Sequence, residues 1–264
     1  VSDYEELHKK LAENTADSAG TPWAGRSFHD NPFAGDDGNA DPALISALQI
    51  FKSSPTVEGK IKVITAAVKA RLLAPLVAEA GDIGYTAEGK KVDKTQELSI
   101  VKVAGPDGRQ VLPLFSSVTA MQTWREDARP VPVDGLRAFA SAVGDETELI
   151  VLDPGSETEF VVRRPAIWAL TQGQEWLPSW LNPSILEIVA DSAVAEKAVT
   201  KVWLSEGDPS ANFSGQELVV HVSLLSGLDQ HELTEIISRM HKVWSQSPAF
   251  TEAVDSVRVS VHSD

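Results

Sequence analysis

Leu218, Val220, Val222 and Leu224 fall on one side of an extended chain, which demands a sheet with one buried face. Something must cover that face. The stretch that follows supplies it: between Gln230 and Trp244 the residues Leu233, Ile236, Ile237, Met240 and Trp244 form a single helical stripe. Val257, Val259 and Val261 then alternate again as a last strand, while Pro183–Asp191 reads as a helix and Val199–Ser205 as a strand upstream. The order helix, strand, strand, helix, strand predicts a compact unit with helices on one face of an antiparallel sheet.

The first two thirds of the chain mix the same two periods. Asp41 followed by Pro42 is an N-cap with proline in the first turn, so a helix is expected over Ala43–Phe51 and a second over Glu58–Val68. Arg71–Val77 is branched and apolar but interrupted by Pro75, which suits a strand at a sheet edge or bulge. Leu98–Val103 and Gln110–Phe115 flank Gly105-Pro106-Asp107-Gly108 and read as a β-hairpin. Ser116 or Ser117 should cap a helix ending at Trp124, and Asp134 another ending at Val143. Leu149–Leu152 and Phe160–Arg163 make strands around Asp153-Pro154-Gly155. The alternation of strand and helix is irregular, which favours an α+β class over a doubly wound parallel sheet.

A length of 264 residues is enough for two ordinary cores. The expected division is 1–40 as a short charged helix and a Gly/Pro/aromatic leader, 41–173 as one α+β domain, and 174–264 as a second. In the leader, Tyr4, Leu7, His8 and Leu11 stand at helical spacing, and Trp23, Phe28 and Phe33 interleave with loop residues as apolar anchors. No run of roughly 18 apolar residues that would span a bilayer occurs. Val1–Lys10 alternates charged and apolar groups and does not read as a signal peptide. Zero cysteines exclude disulfides and thiolate chemistry and fit a cytoplasmic protein. A net charge of −15, without a compensating basic stripe, argues against nucleic acid and anionic membrane as partners.

Three segments follow one another at a characteristic spacing: Val111-Leu112-Pro113-Leu114-Phe115-Ser116-Ser117, Val133-Asp134-Gly135-Leu136-Arg137-Ala138-Phe139-Ala140, and Leu149 to Gly155. Together they resemble the SseB N-terminal domain. Pro22-Trp23-Ala24-Gly25-Arg26 and Asn31-Pro32-Phe33-Ala34-Gly35-Asp36-Asp37-Gly38 resemble the leader that some members carry, and residues 175–264 resemble the family's C-terminal domain. The family takes its name from enhanced serine sensitivity, and the resemblance brings no catalytic residues with it. Asp153 stands where the family often has Asn before Pro-Gly, and either side chain can bond its own turn.

Linear motifs for chemistry fall short. Asp37, Asn39 and Asp41 have the spacing of the first ligands of an EF-hand, but Pro42 replaces the turn glycine and Leu48 the bidentate Glu, leaving a turn and a helix cap. His231-Glu232 begins like a zinc-protease helix, but Glu235 stands at the second histidine's place; Asp229 with Glu232 reads as a capping box. His221 lies on the strand face opposite Leu218 and Val220, with no evident partner, and His241 lies beside the helix stripe. Neither G-x-S-x-G nor a phosphate-binding loop occurs.

Seven Trp against two Tyr draw attention to Trp23, Trp176 and Trp180 in Pro-flanked segments, where large aromatics pin a loop or meet a partner. The expectation is a non-catalytic protein that binds another protein, a second copy of itself or a small metabolite, with the groove between its two domains as default site. The leader residues Trp23, Arg26, Phe33, Asp36 and Asp37 are binding candidates; no catalytic residue, metal site or cofactor is expected. Alternatives are an enzyme whose carboxylates gather only in space, and an acidic chaperone.

Overall fold

The computed structural model describes residues 32–78, 83–85, 91–93, 98–100, 102–105, 107–144, 147 and 149–264. Asp37–Asp264 form a compact unit of α+β class. Two helices come first, α1 (Pro42–Ser53) and α2 (Val57–Lys69). Each is started by a side-chain cap: Asp41 accepts from the Ala43 and Leu44 amides, Thr56 from Gly59. These caps satisfy N–H groups that have no partner within the helix.

Two sheets follow. One has the order β4-β1-β7, with β1 (Arg71–Ala78) between β4 (Leu98–Ile100) and β7 (Arg129–Asp134), all antiparallel. The other has the order β5-β6-β8-β9, built from β5 (Val103–Ala104), β6 (Gln110–Leu114), β8 (Leu149–Leu152) and β9 (Phe160–Arg163). β6 and β8 run parallel, and their crossover carries α3 (Val118–Trp124), β7 and α4 (Gly135–Gly144). A bridge between Leu73 and Phe115 links the two sheets. A further two-stranded ribbon joins β2 (Ile83–Tyr85) to β3 (Lys91–Asp93).

Two expectations need correcting here. Pro75 lies in the central strand of its sheet, not at an edge. Leu73 exchanges both backbone bonds with Phe115, so the nitrogen of Pro75, two residues on, faces the same side. There the partner changes from Phe115 to β4, whose pairing begins at Leu76, and no continuous ladder needs the missing N–H. The hairpin around Gly105–Gly108 does form, but only Val103–Ala104 pairs with β6. Leu98–Ile100 pairs with β1 instead.

Ser117, rather than Ser116, caps α3 by accepting from Ala120. Asp134 accepts from the Arg137 amide at the start of α4. Gly135 has no room for a side chain, since a Cβ there would lie 2.1 Å from the Ala67 carbonyl oxygen of α2. That close approach lets α4 pack on α2. Leu44, Leu48, Phe51, Val63, Leu72, Leu112, Phe139, Ile150, Leu152 and Phe160 form the first core, with Phe51 and Phe160 edge to face at 5.1 Å.

Arg164–Thr171 is a further helix, α5, with Pro165 in its first turn and Gly173 at φ 71° just beyond its end. A 3₁₀ turn at Ser179–Leu181 leads to α6 (Pro183–Val194), β10 (Val199–Glu206), β11 (Leu218–Leu224), α7 (Gln230–Gln246), α8 (Pro248–Ala253) and β12 (Val257–Ser263). The alternating apolar residues of β11 are all buried, and with Val189, Ile236, Met240, Trp244 and Phe250 they form a second core. The capping box of Asp229 and Glu232 is present at the start of α7. The sheet is mixed, however: β11 pairs antiparallel with β10 but parallel with β12. The chain from β11 to β12 crosses over through α7 and α8, which is the connection a parallel pair requires.

Candidate functional site

Between the two cores the chain buries charge. Arg163, the last residue of β9, is 8% exposed and fans its guanidinium over both parts of the unit. It donates to Asp208 at 2.7 Å, to Asp255 at 2.9 Å and to the Gly215 carbonyl at 2.7 Å. Arg109 grips the same Asp255 through both of its terminal nitrogens, at 2.7 and 3.3 Å. The Phe213 ring lies near both guanidinium groups, 5.4 Å from Arg109 and 5.2 Å from Arg163. Lys60 of α2 pairs with Glu206 and donates to the Asp208 carbonyl at 2.9 Å.

Asp208 also holds the loop that follows it. Its carboxylate accepts from the Phe213 amide at 3.0 Å and the Ser214 hydroxyl at 3.0 Å, with weaker contacts from the amides of Asn212 and Ser214. Within this loop Ala211 and Phe213 have φ of 48° and 63°, a region in which a Cβ crowds the backbone. Each such residue costs about 1–2 kcal/mol, so the buried carboxylate and Arg163 must hold the loop shut. Burial pushes the Asp208 carboxyl up, yet the hydrogen bond and charge of Arg163 outweigh it and hold the group below its ordinary range.

Glu217 has the opposite fate. It is 3% exposed, accepts from the Ser179 hydroxyl at 3.0 Å and the Asp255 amide at 2.6 Å, and has the Asp255 carboxylate as a neighbour. Burial dominates and pushes it up to about 7. Glu217, Asp208, Arg163, Lys60, Trp176 and Trp180 line a cavity of about 20 Å³, room for roughly one water.

Next to that cavity lies a larger groove of about 550 Å³, lined by α2 (Ile61, Ile64, Thr65), the end of α5 (Leu170) and the segment Gly173–Leu177. Trp176 lines both spaces. Its ring meets Trp180 edge to face at 6.3 Å, and its buried Nε1–H has no acceptor among the described groups. Indole N–H groups usually find a partner when buried, so this donor is out of the ordinary.

Residues 44–169 match the family model of the SseB protein N-terminal domain. The chain belongs to the SseB family. No curated protein and no solved structure matches it. The SseB match supplies Lys60, Ile64, Val161, Arg163 and Ala166 to the small cavity, whereas Trp176, Trp180, Asp208, Ala211 and Glu217 come from beyond it. No helix among the described residues is long and apolar enough to cross a membrane.

The leader candidates fare unevenly. Trp23 and Arg26 lie outside the described residues, as do the expected N-terminal helix and Phe28. Phe33 and Asp36 form a turn in which the Asp36 amide donates to the Phe33 carbonyl. Asp37 accepts from both the backbone and the side chain of Asn39, and these bonds hold its carboxyl low. Asp37 therefore shapes a turn, while Asp41 caps α1.

His221 was expected to have no partner and has three. Its ring stacks on Trp203 with centroids 4.7 Å apart and planes 2° from parallel. Its Nε2 lies 2.8 Å from the Ser205 hydroxyl, and its Nδ1 lies 2.9 Å from Nε2 of His262. The partners sit on two different strands, 16 and 41 residues away, which is why no local motif announces them. The one legible signal was the register of alternating strands that leaves these residues on the polar face.

Proposed function

We propose that this SseB protein acts in the cytoplasm by binding, through the groove beside Trp176, a ligand with an apolar or aromatic body and one hydrogen-bond acceptor. The observation that carries the reading is the buried, unpartnered Nε1–H of Trp176, a residue that borders a groove whose other walls are Ile61, Ile64, Leu170 and Leu177 with Thr65, Gln174 and Glu175 beside them. Mostly apolar walls with a few placed polar groups are what a small-molecule site requires. A metabolite, or an apolar side chain of a partner protein, satisfies this chemistry. The acids of the neighbouring cluster favour the same reading over acid–base catalysis, because Asp208 and Asp255 are paired with Arg163. Glu217 faces a cavity with room for about one water, not a substrate.

Native mass spectrometry of the chain purified from its own cells tests the reading. A retained small molecule, or a stoichiometric partner, should be lost from Trp176→Ala and from Leu177→Glu, with affinity for the isolated ligand falling tenfold or more. Retention that is indifferent to both substitutions would place the binding site elsewhere.

A further inference from the structure

The sheet β10-β11-β12 turns its valines and leucines to the second core and keeps a polar face on its other side. Register places three rows across that face: Ser205–Val219–Arg258, Trp203–His221–Ser260 and Lys201–Ser223–His262. Ser205, His221 and His262 thus step diagonally over three strands. Their polar atoms meet in sequence, Ser205 Oγ to His221 Nε2 at 2.8 Å and His221 Nδ1 to His262 Nε2 at 2.9 Å. The ring centroids of the two histidines are 5.2 Å apart, so the facing nitrogens lie close to the line between them. That is the alignment of an N–H···N hydrogen bond, not of two lone pairs converging on a third atom.

Two proton assignments fit these contacts, and the one in which His221 carries its proton on Nδ1 and donates it to His262 Nε2 leaves His221 Nε2 as the acceptor for the Ser205 hydroxyl. Ser260 Oγ lies 3.3 Å from the same His262 Nε2. Trp203 stacks on His221 and approaches His262 at 4.9 Å, so both rings are held in place. Burial, then His262 and Arg258, push His221 down, which favours a neutral ring with one nitrogen free to accept.

We propose that Ser205, His221 and His262 form a serine–histidine–histidine relay in which Ser205 is an acyl-accepting nucleophile. Nucleophile, base and orienting group stand in the order that this chemistry needs, independent of chain order. Ser205 Oγ bonds to the carbonyl carbon of an ester as its proton passes to His221 Nε2. The bond to the leaving oxygen breaks and takes that proton, and water then releases the acyl group from Ser205 by the same route. His262 holds the Nδ1 proton and is a positioning residue. The half-buried Ser205 opens on a face whose exposed cations are Lys201 and Arg258. Arg258 stands two strand spacings from Ser205, roughly 10 Å, within reach of a long side chain. The substrate class is therefore an ester bearing an anionic group, a chemistry separate from the groove at Trp176.

Because the chain has no cysteine, Ser205→Cys installs its only thiol. The pH dependence of iodoacetamide alkylation should place that thiol clearly below its ordinary value of about 8.5, and the added change His221→Ala should restore it. On the unmodified protein, a fluorophosphonate should leave one adduct on the Ser205 peptide by mass spectrometry. Labelling should slow a hundredfold or more in His221→Ala and roughly tenfold, with an altered pH profile, in His262→Ala. Absence of an adduct on Ser205, or a rate unchanged by His221→Ala, would overturn the relay; circular dichroism of each variant separates these results from loss of fold.

Discussion

Arg163 and His221 both sit on strands and both gather partners from distant parts of the chain, but they are treated in opposite ways. Around Arg163 every strong group is matched: two carboxylates, a carbonyl and an aromatic face, with almost nothing left to solvent. Around His221 the groups form a directional series that begins at a half-buried hydroxyl. A closed set of charges stores stability and geometry, because exchanging any member leaves a buried ion without a counter-ion. A directional series on a polar face holds one proton in a defined place and leaves an atom free to react. Both networks join polar groups from distant strands and loops; what differs is whether the network ends inside the protein or at its surface.

The comparison breaks most readily at Arg163. Arg163→Met would leave Asp208 and Asp255 buried with a guanidinium fewer, and should lower stability in denaturant melts by about 3–5 kcal/mol. Asp255 retains Arg109, so Asp208 and the strained loop around Ala211 and Phe213 should loosen first, read as increased amide exchange at 211–214.

Glu217 sharpens the contrast through pH. Its carboxyl titrates near 4.5 in the unfolded chain and at about 7 in the fold, so the folded state keeps the proton longer. Its favourable contribution is complete below 4.5 and is lost as pH rises through 7, an effect of up to roughly 3 kcal/mol. Glu217→Gln can donate to the Ser179 hydroxyl while accepting from the Asp255 amide. The variant should be more stable than the parent at pH 8, similar at pH 5, and flatter between; equal slopes in paired melts would contradict the assignment.

The smallest effect is expected at Asp153, fully buried at φ 47° and accepting from the Ser116 amide and hydroxyl and from Thr158. Burial outweighs those bonds and pushes its carboxyl up. Asn tolerates the same backbone and can make a matching set of bonds, so Asp153→Asn should change stability by less than about 1 kcal/mol and reduce its pH dependence. A loss of several kcal/mol in a thermal melt would mean that the negative charge itself matters there.

Much of the local architecture was legible before any coordinates. Asp41, Ser117, Asp134 and Asp229 all accept from amides in the first turns of their helices, and the stripe from Leu233 to Trp244 packs where its period demands. The missed helices α5 and α8 are short, eight and six residues, too brief for a period to stand out. Of the site, Trp176 was singled out by its setting and does line the groove, but Arg163, Asp208 and Glu217 gave no warning. A charged residue at the end of a strand looks like any solvated one until its partner, 45 or 92 residues away, is known.

By itself, then, the sequence determined the longer helices, several of their caps, the strands with a clear apolar pattern and the SseB resemblance, because periodicity and capping act within a few residues. Only the tertiary structure decided that Pro75 sits in a central strand, that β11 and β12 run parallel, that Arg163 closes a ring of carboxylates and that Ser205 meets His221. Each of these depends on which distant segments share a neighbourhood, and that is settled by burying two cores at once rather than by any local preference.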